Sequence, residues 1–267
     1  MSRSFAIPLA LVLAATAAQA TPRVLPQSYN TQTNAAGDAE LEQAVDVTPV
    51  PYNDASGNPG TTMLAQLNTE LEIGLTNSVE LGVYLAFANL PGENSTGAPL
   101  FFDALRQRLR WRLTEPGQLP IDIAVYGEIS EARNELELEA KIILEKRIGA
   151  MSILCNLWAE RELYFSGQNE WVLNPTLGAT YEVKPGLVLG LEGFLHAEYG
   201  AITDTSADFA KFNARPQVFA GPTISAQFKK VWLTGGVYAR FTELGRAAVY
   251  GDKLGPVWVR LMAGIEL

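Results

Sequence analysis

The chain has 267 residues, with 20 Lys and Arg against 29 Asp and Glu, a formal net charge of −9 and 48% hydrophobic residues. An acidic chain of this kind lacks the basic footprint that nucleic acid requires, and a single cysteine, Cys155, excludes an intramolecular disulfide. Nearly half of the residues are apolar, so they must fill a soluble core or be spread over a β surface that faces lipid.

The first twenty residues, MSRSFAIPLALVLAATAAQA, combine Arg3, an apolar stretch from Phe5 to Ala18 and the small-x-small site Ala18-Gln19-Ala20. This is the layout of a secretory signal peptide cleaved after Ala20. Residues 21–37, TPRVLPQSYNTQTNAAG, are polar and turn-rich and predict a flexible periplasmic arm. The remainder, 38–267, reads as one domain. No later stretch offers the roughly 18 consecutive apolar residues of a membrane-spanning helix.

Period-two segments recur from there almost to the end: about 39–48, 63–75, 79–90, 101–113, 119–131, 135–146, 151–164, 171–183, 187–199, 215–228, 231–242 and 256–267. The clearest test of period is NELELEAKIILEK at 134–146. Its Glu, Leu, Ala and Lys favour a helix, but at about 100° per residue Leu136, Leu138, Ala140, Ile142 and Leu144 would scatter around it. At period two they form one apolar row. The opposite row is Glu135, Glu137, Glu139, Lys141, Ile143 and Glu145, with Ile143 as its one apolar member.

The connections alternate in length, except that the outer link after Arg133 is short. TNS (76–78), TEPGQ (114–118), RIGA (147–150), KPG (184–186) and KK (229–230) are short, whereas PYNDASGNPG (51–60), PGENSTGAP (91–99), FSGQNE (165–170), 201–214 and 243–255 are longer or more polar. Outer-membrane barrels have this habit, with short periplasmic turns and longer outer loops. The outward rows support the reading. Leu187, Leu189, Leu191 and Leu195, or Val257, Val259, Leu261 and Ile265, carry no charge, and Arg161 near a rim is the exception in the clearer rows. Aromatics in those rows sit at the ends: Trp111, Tyr181 and Phe228 by the short turns, Phe87, Tyr199 and Phe241 by the long loops. Amphipathic rings collect in this way at the two membrane interfaces.

The stretch LEIGLTNSVELGVYLAF (71–87), with the same grammar in GATYEVKPGLVLGLEG (178–193) and GPTISAQFKKVWLTGGVY (221–238), resembles the outer-membrane barrels grouped with the MetA-pathway-of-phenol-degradation family, described as transporters. The likeness covers roughly residues 62–267. It implies a barrel fold, an outer-membrane location and a transport role, and supplies no catalytic residues. Barrels of this kind usually end on an aromatic residue read by the assembly machinery, whereas this chain ends on Leu267, which has the outward parity without the ring.

The expectation is an all-β protein: a transmembrane, antiparallel, up-and-down β-barrel of about twelve strands in a Gram-negative outer membrane. Its partners are membrane lipid and lipopolysaccharide, the assembly machinery and a small-molecule solute. The inward rows then give the pore-lining candidates. Arg106, Arg108, Arg110 and Arg112 form a ladder, flanked by Glu80, Asp122 and Glu128 and then by Glu135, Glu137 and Glu139, with His196, Arg240 and Arg260 further round. An Arg ladder facing carboxylates would set a transverse field and select small polar or amphipathic solutes in a porin-like channel. Alternatively, those charges pair across the lumen and close it, leaving a non-conducting surface or structural barrel. A single histidine on an inward row and carboxylates spaced by strand alternation give no catalytic set, and one His with one Cys on different strands gives no metal site. Neither an enzyme nor a cofactor is expected.

Overall fold

The computed structural model describes residues 22–53, 58–89, 100–200, 216–241 and 255–267. Residues 1–20, expected as a signal peptide, and the expected loops 91–99, 201–214 and most of 243–255 lie outside the described residues. The described chain forms thirteen strands: β1 (Ala39–Asn53), β2 (Pro59–Gly74), β3 (Val79–Asn89), β4 (Phe101–Arg112), β5 (Asp122–Ala132), β6 (Glu135–Ile148), β7 (Met151–Tyr164), β8 (Asn169–Leu173), β9 (Thr176–Lys184), β10 (Leu187–Gly200), β11 (Gln217–Phe228), β12 (Val231–Arg240) and β13 (Val257–Glu266). Neighbours pair antiparallel, and the ring closes where β13 pairs with β1.

β8 and β9 make one wall of the barrel rather than two. Ala159↔Leu173 and Asn156↔Thr176 keep the same register on β7, and β10 pairs with both pieces. Between them stands Pro175, which has no N–H to give to a ladder. Its carbonyl still accepts the amide of Leu195 at 3.0 Å. Counted as walls, the barrel has twelve.

β1 and β2 run further than their sequence suggests, to Asn53 and from Pro59, although β1 contains Pro49 and Pro51. The ladder with β13 ends at Val47↔Val259, so beyond Val47 β1 has no strand on that side among the described residues. Proline is tolerated on such an edge. The turns at the other end are tight. Gly117, Gly149, Gly186 and Lys229 supply the left-handed conformations there.

The outer surface carries the apolar rows. Leu109, Ile129, Ile142, Leu191, Ile224, Leu233 and Leu261 are exposed, and Trp111, Tyr181 and Phe228 at the short-turn end answer Tyr199 and Phe241 at the other. Arg161 joins this face near the rim with its guanidinium 4.9 Å from the Trp171 ring. Glu131 and Lys146 share the outward parity at the ends of β5 and β6.

The interior holds the largest departure from the sequence reading. Most of the segment expected as a free periplasmic arm, residues 22–34, is folded inside the barrel, with Leu25 and Thr31 0% exposed, Ser28 1% and Tyr29 4%, while 35–37 are exposed where the arm joins β1. The arm carries no helix or strand, and many of its polar groups bond to inward side chains of the wall. A composition that would solvate the arm in water serves equally well in a polar lumen.

Candidate functional site

Period two on each strand sends alternate residues inward, and the ladder pairing places every predicted lumen residue on that face. Within the Arg ladder each member has found partners. Arg106 reaches Glu128 at 3.5 Å and, across a further strand, Glu137 at 3.8 Å. Arg108, fully buried, is caged by Glu70, Glu72 and Glu80. Arg110 binds Glu80 at 2.8 Å, and Arg112 donates to the Asn77 carbonyl at 2.7 Å and to Glu115 at 3.3 Å. Glu128 also accepts the hydroxyls of Tyr84 and Tyr126, and Asp122 accepts the Gly117 amide at 2.7 Å.

Further round, Glu139 pairs with Lys141, while Glu135 and Glu137 face Tyr164 and Glu162 towards the long-loop end. His196 sits between Asn174 at 2.8 Å and Glu198 at 3.0 Å. Arg240 is buried on β12, and Arg260 reaches Gln27 at 3.0 Å and Asp46 at 3.7 Å. The lumen has a second character on the other side. Phe194 stacks on Phe219 at 5.0 Å and meets Tyr238 and Trp258 edge-on at 5.3 and 5.4 Å. A charged wall on β2 to β7 therefore faces one on β10 to β13 where this cluster of rings lies among Glu192, Glu198, Arg240 and Arg260.

The arm runs round this interior and touches both walls. Arg23 pairs with Glu42 at 3.2 Å on β1, and its carbonyl accepts the Thr234 hydroxyl at 2.6 Å on β12. Glu192 on β10 accepts the Gln27 amide at 3.1 Å and the Ser28 hydroxyl at 2.6 Å. Asn156 on β7 accepts the Tyr29 amide at 2.8 Å and returns a bond to the Tyr29 carbonyl at 3.0 Å. Glu145 on β6 holds Thr31, and Glu80 on β3 accepts the Asn34 amide at 2.8 Å.

Apolar contacts fix the arm's register. Leu25 lies over Gly178 and Gly190, where an added Cβ would come within 2.3 and 3.0 Å of its methyls. Tyr29 shares a buried cluster with Ala124, Tyr126 and Ile143. Its ring is ringed by cations, with Arg23 at 3.9, Lys141 at 4.7, Arg110 at 5.3 and Arg108 at 5.4 Å. The sequence reading missed Glu70 and Glu72, whose period-two spacing opposite Glu80 marks them as inward, and it missed the arm. The signal for the arm was Ile143, an apolar residue in a polar row.

No family model and no curated protein matches the chain. Solved structures do. The COG4313 outer membrane channel from Pseudomonas putida F1 is 14% identical with a TM-score of 0.58, over 89% of this chain and 98% of that one. The NanC porin is 8% identical with a TM-score of 0.55, over 86% of this chain and 100% of that one. The protein is an outer-membrane β-barrel. At these identities the likeness is one of fold, and it agrees with the barrel's apolar belt and aromatic rims.

Proposed function

We propose that the barrel is a channel for small polar or amphipathic solutes, held in a closed state by residues 22–37. The observation that carries this reading is the way the arm is held. Side-chain hydrogen bonds, one ion pair and a few apolar contacts tie it to the walls, with no strand pairing, so the closure is a separable element rather than part of the sheet. With the arm withdrawn, the passage would have a charged wall of Arg106 to Arg112 and Glu137 to Glu145 facing the rings of Phe194, Phe219 and Trp258. Two such walls suit a molecule with one polar and one apolar face. Both solved structures named above are described as a channel or a porin, and the resemblance to the phenol-degradation transporters points the same way without naming a solute.

The rival reading is a non-conducting surface barrel, and the Arg108 cage favours it, because that ion pair is buried on all sides. Planar-bilayer recording of the full chain separates the two. The channel reading expects a predominantly closed barrel with resolvable openings, which become frequent when Tyr29→Ala removes the arm's aromatic anchor. Folded, heat-modifiable protein that passes no current in either form would overturn it.

A further inference from the structure

The arm is bound in the lumen much as a peptide is bound by a receptor. Of the groups that hold it, several read main chain rather than side chain. Asn156, fully buried, turns its carboxamide so that the oxygen takes the Tyr29 amide and the nitrogen gives a bond to the Tyr29 carbonyl. This is the two-point contact one strand makes with another. Glu192 and Glu80 each accept an amide of the arm, from Gln27 and Asn34, and both carboxylates are nearly inaccessible to solvent. Such contacts recognise any peptide backbone, and the Tyr29 cluster adds a choice of side chain.

From this we infer that the seat of the arm is a peptide-binding site, and that the arm is its intramolecular occupant. When the arm leaves, the site takes a short peptide from solution by the same main-chain contacts. Its preferred ligand carries one aromatic residue flanked by small polar ones, as in Ser28-Tyr29-Asn30, and has little net charge. The aromatic ring takes the place of Tyr29 over Ile143 and among Arg108, Arg110 and Lys141, where cation–π attraction favours a ring. The inference rests on the channel reading only in that a peptide must reach the lumen.

The test uses the full chain in detergent micelles with Leu25→Ala and Tyr29→Ala combined, arm release being established by protease cleavage within residues 22–37 of the folded barrel. The probes are a labelled peptide of residues 22–34, PRVLPQSYNTQTN, and the capped tripeptide Ser-Tyr-Asn, followed by fluorescence anisotropy. Saturable binding is expected for both to the released protein. Binding to the unaltered chain should be far weaker, because a tethered arm competes at an effective concentration on the order of millimolar. Adding Asn156→Ala should weaken binding roughly tenfold, the loss of about one or two hydrogen bonds, and the isosteric Glu192→Gln offers a second test should Asn156→Ala not fold.

Equal binding of the same peptide with serine in place of its tyrosine, or no binding of either probe to the released barrel, would overturn the inference. Binding is read without current, so a barrel that binds the peptide and never conducts refutes the channel alone. One that conducts and ignores the peptide refutes the site alone.

Discussion

Glu145 accepts two hydrogen bonds from one residue of the arm, from the Thr31 amide at 3.0 Å and the Thr31 hydroxyl at 2.8 Å, while its other oxygen takes Arg147 at 2.7 Å. A carboxylate of the polar row on β6 is thus a fastening for the chain's own arm. Hydrogen bonds to a charged acceptor contribute about 1.5–3 kcal/mol each. Glu145→Ala removes both and is expected to raise the released population of the arm by about two to four orders of magnitude. Limited proteolysis of the folded barrel, followed by the rate of cleavage between residues 22 and 37, measures this directly, and an unchanged rate would show that Thr31 is not a point of attachment.

The apolar belt has its own test. Ile224 stands near the middle of β11 with half of its surface exposed on the outer face, next to inward-facing Thr223 and Ser225. Ile224→Arg should lower the stability of the barrel in lipid vesicles by roughly 2–4 kcal/mol, the usual cost of a cation near the bilayer midplane. The same arginine at exposed Val183, near the short-turn end of β9, should cost far less. Urea titration of vesicle-embedded protein gives both numbers, and equal costs at the two sites would contradict the membrane placement of the belt.

The barrel was legible because strand alternation is a local signal. NELELEAKIILEK favours a helix residue by residue, yet it pairs along its length with β5 and β7 as β6. There the lipid-facing stripe Leu138, Ile142 and Leu144 outweighs intrinsic propensity. The arm was not legible, because its partners are distant: Thr31 meets Glu145 and Ser28 meets Glu192 across separations of 114 and 164 residues. Nothing in TPRVLPQSYNTQTNAAG itself distinguishes a solvated tail from one bound in a polar lumen. The trace it left was in the wall, where Ile143 and Leu154 interrupt inward polar rows and are fully buried. Glycine at 178 left a second trace, a space that Leu25 of the arm fills.

Arg108 ties three carboxylates together, Glu70, Glu72 and Glu80, with no exposure of its own side chain. Removing one partner from such a set leaves like charges buried and uncompensated, which costs about 3–5 kcal/mol. Arg108→Met should therefore lower the urea midpoint of the barrel sharply. Arg108→Lys, which keeps the charge but not the fork that reaches several acids at once, should fall between the two. If both variants unfold at the wild-type midpoint, the cage contributes nothing to the closed lumen and the rival non-conducting reading loses its main support.

The contact of Leu25 with Gly178 offers a test that alters no charge. A Cβ at position 178 would lie 2.3 Å from the Leu25 Cδ1, so Gly178→Val must displace that side chain and with it the start of the arm. The sheet should tolerate the valine, because it is a good strand former and faces the lumen. The displaced leucine is the source of the strain. Gly178→Val alone is expected to release the arm, seen as faster proteolysis of residues 22–37, and Leu25→Ala in the same chain should recover much of the protection by making room. Recovery by a second substitution that itself removes apolar contact is a coupling that only neighbours show. Additive losses in the double variant would mean that Leu25 does not occupy the space over Gly178.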